Sequence, residues 1–324
     1  MPAFVVSAAE AGRSVVELLR ARMNISWAQA RRLLEDRRVR LAGTPCSDPD
    51  RRVKRGQRLE VQAGKRPAKS AAGARAVPGA AQPVICHLDA HIVVVDKPAG
   101  ITTMRHPGEA AEFGARARRY LPPTLADLLP GLLARSRLGK PGPVRAVHRL
   151  DKETSGLVVF ARTREAESNL GKQFRAHATE RRYLALVRGR AKGGRIESML
   201  VNDRGDGRRG STQAQGEGKR AVTHVRVVEG LGDYTLVECR LETGRTHQVR
   251  IHLAEQGTPL CGETVYDRPL HGKPVADHSG ASRPALHAAS LGFHHPATGK
   301  WQTWTSGLPE DLQHLLRRLR SFTS

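Results

Sequence analysis

One acid in this 324-residue chain stands out by its neighbours. In the stretch Val147–Ala161, VHRLDKETSGLVVFA, Asp151 lies between the cations Arg149 and Lys152, and a Thr154-Ser155-Gly156 turn follows. The next residues, Leu157-Val158-Val159-Phe160, are apolar and β-branched enough to form a short buried strand. A carboxylate in a loop that feeds a core strand is held rigidly, which catalytic groups need. The ordinary alternative is a surface Asp paired with Arg149, and most Asp residues beside an arginine are that. Other chemistries lack their residues. The four cysteines, Cys46, Cys86, Cys239 and Cys261, lie far apart without a CxxC or metal-ligand spacing, and there is no P-loop or dinucleotide fingerprint. The cysteines read as reduced, partly buried thiols of a cytoplasmic protein.

Several elements must position this acid. Ile92-Val93-Val94-Val95 reads as a strand ended by the turn Asp96-Lys97-Pro98-Ala99-Gly100. Arg164 to Ala176 has a helical stripe of Ala166, Leu170 and Phe174, and Arg181 to Val187 alternates as a strand containing Tyr183. Strands are expected at Val222–Val228 and Tyr234–Leu241, after a polar, Gly-rich loop over residues 202–220. In the block Leu241–Asp267, LETGRTHQVRIHLAEQGTPLCGETVYD, His247 and His252 stand five apart on what reads as an alternating segment. They would face opposite sides and could not share a metal, so both read as structural. His287, His294 and His295 read as core or surface rather than ligands. Closing strands are expected around Pro284–Ala288 and Trp301–Trp304, and a basic helix from Asp311 to Phe322. Residues 105–145 are the least legible, with one amphipathic helix over Thr124–Leu129.

Upstream, residues 13–61 form a small module of their own. Val15, Leu18, Leu19 and Met23 recur with helical spacing, and Ser26 heads a second helix with Gln29 in the capping-box position. Arg31, Arg32, Arg37 and Arg38 crowd that helix and its exit, and Val39–Leu41 and Arg58–Val61 alternate like short strands. The module is expected to span residues 1–62. From 63 to 83 the chain is Ala, Gly, Pro, Lys and Arg, a flexible basic linker. A second domain is expected over 84–324.

Charge narrows the partner. Fifty-four Lys and Arg against 31 Asp and Glu give a net charge of +23, and residues 1–83 hold 17 of the basic residues but only 7 acids. A cation this strong attracts polyanions, nucleic acid first among them. No apolar run is long enough to span a bilayer, which argues against a membrane partner, and the start MPAFVVSAAEAGR lacks the pattern of a secretion signal. Aromatic residues make up only 4%, so base stacking must rest on a few placed rings.

The strings themselves resemble a known family. HRLD followed by KETSG, VVVDKPAGI before it, the Arg-x-Tyr-x-Ala strand, and GRTHQVR with the following block resemble, in order, the motifs of the RluA-type pseudouridine synthases. SWAQARRLLEDRRVRLAG resembles the alpha-L RNA-binding motif of a small-subunit ribosomal protein, with Ala42-Gly43 where an Asn-Gly turn is usual. The resemblance implies an α+β catalytic domain on a mixed, largely antiparallel sheet, and an N-terminal helix-pair and hairpin module that grips RNA through Arg31, Arg32 and Arg38. It implies Asp151 as the essential catalytic residue, acting as nucleophile or base, Arg250 as its ion-pair partner and Tyr183 as the ring against the target base. Arg149 would fill the space of the extruded nucleotide, and Arg245 and His247 would join it in binding substrate. Gly262-Glu263-x-x-Tyr266 replaces the usual Gly-Asp-x-x-Tyr, an acid-for-acid change expected to lie outside the catalytic trio. The isomerisation changes no oxidation state, so no cofactor or metal is required. The expected partner is large-subunit ribosomal RNA, the expected state a cytoplasmic monomer. A glycosidase reading would need two carboxylates about 5–10 Å apart, and no second acid is expected beside Asp151. A non-catalytic RNA-binding factor would keep the basic module without needing Asp151, Tyr183 and Arg250 together.

Overall fold

Two helix starts show how local sequence builds the N-terminal part. Ser14 accepts a hydrogen bond from the backbone of Glu17 (3.2 Å), whose carboxylate accepts from the Ser14 backbone (2.6 Å). Ser26 and Gln29 repeat the exchange. Each box satisfies two of the donors a helix leaves open at its start, and helices α1 (Val15–Met23) and α2 (Trp27–Glu35) follow. Strands β1 (Ala3–Val5), β2 (Val39–Leu41), β3 (Thr44–Pro45) and β4 (Arg58–Val61) form a sheet in the order β1-β4-β2-β3. Leu18, Leu19, Leu34, Leu41 and Leu59 close the core between helices and sheet. At the β2–β3 turn both Ala42 (φ 50) and Gly43 (φ 78) are left-handed, as a two-residue hairpin turn of this hand demands.

The computed structural model describes residues 2–62, 82–105, 109, 111, 114, 121–135, 142–268, 270 and 272–321. The expected linker therefore lies, but for its last two residues, outside the described residues. The chain divides into two compact units, and the segment Ser198–Lys219 groups with the N-terminal elements. Within that segment the expected loop contains a short strand, Gly210–Thr212, that pairs antiparallel with Met199–Val201.

In the second unit, strands β5 (Val84–Leu88), β6 (Ile92–Lys97), β7 (Arg145–Ala146), β8 (Ser155–Ala161) and β9 (Glu180–Arg188) come first. Strands β10 (Gly194–Val201), β11 (Gly210–Thr212), β12 (Lys219–Leu231), β13 (Tyr234–Leu241), β14 (Leu286–His294) and β15 (Trp301–Thr305) follow along the chain. The sheet of this unit runs β12-β13-β9-β14-β8-β6-β5, with β15 on β14 and β7 on β8. Among the described residues its pairings are antiparallel except β14–β8.

Period-2 burial explains the central strands. Val93, Val95, Val158 and Phe160 face one core with helix α3 (Leu125–Arg135); Ile92, Val94, Leu157 and Val159 face the other with helix α4 (Arg164–Arg175). Helix α5 (Gln248–Glu255) and helix α6 (Glu310–Ser321) complete the unit, the latter burying Leu312, Leu315, Leu316 and Leu319.

Two expectations are corrected. Ser155 and Gly156 are not turn residues: they open β8 and pair in parallel with His287 and Ala288. A Cβ on Gly156 (φ 113) would overlap the Ala288 backbone, so the close strand approach needs glycine there. The segment after Thr246 is a helix, α5, rather than an alternating strand. Every residue from Gln248 to Ala254 is buried, and an element covered on all sides carries no amphipathic period to read.

Candidate active site

Asp151 sits in the loop between β7 and β8, and the Ile92–Thr103 segment holds that loop from below. The Leu150 backbone donates to Thr103 Oγ1 (3.1 Å), which donates to the Leu150 carbonyl (2.8 Å). The Gly100 backbone donates to the Lys152 carbonyl (2.8 Å). Fully buried Lys97 donates through Nζ to the carbonyls of Pro98, Ile101 and Lys152 (2.9, 2.9 and 3.1 Å). Burial pushes its pKa down to about 7, against the pull of the Glu153 and Asp151 carboxylates. Arg283 adds a bond from Nη1 to the Glu153 carbonyl (3.0 Å). His148 is a strut of the same loop. It accepts the Val159 backbone N–H at Nε2 (3.0 Å), stacks on Phe174 with ring centroids 4.4 Å apart, and is pushed by burial and Arg181 to a pKa of about 3.

Two arms reach Asp151 from α5. His247 caps the helix in left-handed conformation (φ 59), and Arg250 lies three residues on, so both project to one side of its first turn. Arg250 Nη1 is 3.5 Å from Asp151 Oδ2, and His247 Nε2 is 3.6 Å from Oδ1. The Asp151 side chain keeps 21% of its surface exposed, so substrate can reach it. Burial would raise its pKa, but His247, Arg250 and Arg149 outweigh that and hold the carboxyl below its ordinary value.

Each arm is braced by one short segment, Glu263–Tyr266. Glu263, its side chain fully buried, takes Arg250 in a two-bond grip, Nε to Oε2 at 2.7 Å and Nη2 to Oε1 at 2.9 Å. Its Oε1 also accepts the backbone N–H groups of Thr264, Val265 and Tyr266. Burial works against the ionised form, yet Arg250 and these donors bring the Glu263 pKa to about 2. The Tyr266 hydroxyl lies 2.7 Å from His247 Nδ1, and the Arg250 guanidinium stands 5.1 Å from the Tyr266 ring centroid. When Tyr266 donates to Nδ1, the ring proton is left on Nε2, facing Asp151. Arg250 is held more basic than usual: burial opposes this, but Glu263 and Asp151 prevail.

These bonds correct one expectation and extend another. Glu263 is not one of the trio but grips its arginine, and a second acid does stand near Asp151, on the far side of the same guanidinium. The Gly-Glu-x-x-Tyr string was the available signal, although nothing in it says which cation the acid grips. Gln248 was also missed. Its side chain accepts from Thr243 Oγ1 and the Arg245 backbone and donates to the Val222 carbonyl and Thr223 Oγ1, fixing the turn that aims His247. His252 is buried against Thr223 Oγ1 (2.9 Å), and burial brings its pKa to about 4.

Tyr183 on β9 is part of the main core, between Cys239 on β13 and Ala288 on β14. Burial raises its pKa, with Arg181 pulling down and Asp151 pushing up, so the phenol is neutral near pH 7. Arg149 is exposed next to the acid, and partly exposed Arg245 donates from Nε to the Arg220 carbonyl (3.0 Å). In the N-terminal unit, exposed Arg32 faces Asp36 (3.9 Å), Arg31 faces Glu109 (3.7 Å), and Arg38 donates from Nε and Nη2 to the Gln62 carbonyl. The free cysteines are buried at 46, 239 and 261 and exposed at 86. Among the described residues no cluster of His, Cys, Asp or Glu is arranged for a metal, and no helix is long and apolar enough to cross a membrane.

On this mixed sheet a reachable carboxylate is aimed by an arginine and a histidine. Residues 91–255 match the RNA pseudouridylate synthase family, and residues 15–59 match the S4 domain. The ribosomal large subunit pseudouridine synthase D of Zymomonas mobilis is 40% identical over 233 residues, 71% of this chain and 71% of its own length. That of Pseudomonas aeruginosa is 39% identical, over 73% of this chain and 71% of its own. Human RNA Pseudouridylate Synthase Domain Containing 4 shares the fold, with a TM-score of 0.58 and 24% identity over 73% of this chain and 92% of its own. The chain belongs to the RNA pseudouridylate synthase family, with an S4 domain at its N-terminal end.

Proposed function

We propose that this RNA pseudouridine synthase acts on large-subunit ribosomal RNA, as a cytoplasmic monomer, with Asp151 as its catalytic carboxylate. The observation that carries the reading is the two-armed hold on Asp151, His247 on one oxygen and Arg250 on the other. The relatives named as large-subunit synthases, at about 40% identity, support the substrate. The net charge of +23 and the S4 domain suit a structured polyanion. Residues 1–62 serve as the RNA grip, 63–83 as a tether and 84–324 as the catalytic domain.

In the reaction the C1′–N1 bond of a uridine breaks, the base turns, C1′ joins C5, the C5 proton is lost and N1 takes one up. Atoms balance without oxidant or added group. Asp151 acts on the ribose–uracil unit in its ionised form, which Arg250 and His247 keep available below the ordinary carboxyl pKa. Tyr183, uncharged, lies along the base and contributes a phenol near the C5 proton. Arg149, exposed beside the acid, occupies the gap left by the flipped nucleotide. Glu263 does not make this a pair of hydrolytic carboxylates. Such a pair needs one carboxyl protonated as a general acid, whereas Glu263 is locked in a two-bond ion pair with a pKa of about 2.

Pseudouridine mapping of large-subunit RNA from cells lacking the gene tests the substrate. One or more pseudouridines should be missing and should return with the wild-type gene but not with Asp151→Asn. An unchanged map in large-subunit RNA would overturn that assignment.

A further inference from the structure

Arg245, which the resemblance implies to bind substrate, and Arg181 lie beside the candidate active site without a place in the scheme above. Arg181 precedes Tyr183 by two residues on β9, so the two side chains share a face of the sheet. Only 8% of Arg181 is exposed. Its Nη2 donates to the Glu242 carbonyl (3.3 Å), its guanidinium lies 5.8 Å from the Phe174 ring centroid, and its Nε has no hydrogen-bond partner. Among the described residues no carboxylate comes within ion-pair distance of Arg181 or of Arg245. The nearby acids are engaged elsewhere: Glu242 lies 2.6 Å from His224, and Glu197 lies 2.6 Å from Arg220.

A buried guanidinium is normally matched by an acid, because an uncompensated buried charge is unfavourable. Here burial and the cations together outweigh the opposing pulls of Glu242 on His177 and of Tyr183 on Arg181. Burial first, then Arg245, Arg181 and Arg220, lower the pKa of exposed His177, and burial and Arg245 lower that of Arg181. Room is also kept open. A Cβ on Gly244 would overlap the Arg181 guanidinium, so the absent side chain at this exposed position lets the cation lie where it does. Paired guanidinium forks with free N–H groups and no acid between them match a phosphate in charge and in geometry.

We propose that Arg181 and Arg245 form a subsite for one backbone phosphate of the RNA, next to the nucleotide presented to Asp151. The subsite rests on the synthase reading for its ligand, but its anion affinity can be measured without turnover. Phosphate contacts fix register without reading sequence, so this one would set how far the target uridine enters the site.

The test uses the full-length protein and its Arg181→Met, Arg181→Lys and Arg245→Gln variants. Thermal unfolding is followed with inorganic phosphate added at constant ionic strength. Phosphate should raise the midpoint of wild type more than that of Arg181→Met or Arg245→Gln, with Arg181→Lys between. Without phosphate, Arg181→Met should unfold no earlier than wild type, since it removes an unpaired buried charge; a purely structural arginine would lower the midpoint. Binding of a large-subunit RNA fragment is then titrated against salt. The log–log slope should shrink in Arg181→Met by about 0.7–0.9, the share of one phosphate. Arg245→Gln, changed at a partly exposed position, keeps the test open if Arg181→Met fails to fold. Equal phosphate responses in wild type and both variants would overturn the subsite. A lost phosphate response with an unchanged salt slope would overturn RNA as its ligand. A retained difference in phosphate response, in a protein that modifies no uridine, would sink the synthase reading and leave the anion site standing.

Discussion

Arginine is used in opposite ways in the two units. In the N-terminal unit, Arg32 and Arg31 face acids at 3.9 and 3.7 Å and keep 63% and 28% of their side-chain surface exposed. A pair as long and as wet as Arg32–Asp36 stabilises a fold little and leaves the charge free to meet an anion. In the second unit, Arg188, Arg250 and Arg283 are buried and each bonds several groups at once. Arg188 spans the Leu260 and Glu263 carbonyls, Arg250 is gripped by Glu263, and Arg283 joins Asp311 to the Glu153 carbonyl. Arg188 thus steadies Glu263, and Arg283 steadies the Asp151 loop. The same side chain serves as a handle in one place and as a brace in the other, and how fully its N–H groups are taken up decides which.

Breaking a brace should have the largest effect. Glu263→Gln leaves Arg250 with half its counter-charge, and should destabilise the second unit by about 3–5 kcal/mol while lowering turnover. Glu263→Asp should restore most of both. The pH dependence has a definite sign. Glu263 titrates near 2 when folded and near 4.5 when free, so its contribution is full above pH 4.5 and is lost as pH falls toward 2. Chemical denaturation of wild type and variant should therefore converge over that window. A constant gap would contradict the ion pair.

Removing handles should act on binding alone. Arg31→Gln, Arg32→Gln and Arg38→Gln combined should weaken affinity for ribosomal RNA and flatten its salt dependence by about 0.7–0.9 per lost phosphate contact. Turnover at saturating RNA should hold, which single-turnover kinetics would check. A fall in the chemical step would erase the distinction between the two units.

Smaller effects sharpen the account of the second arm. Tyr266→Phe removes one hydrogen bond to His247, worth about 1 kcal/mol. Turnover should fall by no more than roughly tenfold, with RNA affinity unchanged in a filter-binding assay. Smallest is Ala42→Gly. The left-handed backbone at this turn disfavours a Cβ by about 1 kcal/mol, so the variant should unfold later.

Much of this was legible because local signals are strong where strands and caps are regular. The Ser26–Gln29 box, the alternation of Val39–Leu41 and Arg58–Val61, and the apolar runs at Ile92 and Leu157 each specify an element within a few residues. Helix α5 was misread because its burial on all sides erased its period. With that helix unseen, the i, i+3 relation of His247 and Arg250 was hidden too. Glu263 and Gln248 could not be placed from sequence, since the partners that tie them to the site, Arg250 for the one and Val222 and Thr223 for the other, lie 13 to 26 residues away and only the fold brings them together. The parallel approach of β8 to β14 joins residues 132 apart, which no local pattern encodes.

The central claim is that Asp151, braced by these arms, converts uridine to pseudouridine. Ribosomal RNA transcribed with tritium at C5 of uridine tests it, since tritium reaches water only when C5 becomes the glycosidic carbon. Wild type should release tritium, and Asp151→Asn should release none while binding the RNA with unchanged affinity. Release by Asp151→Asn at the wild-type rate would contradict the account.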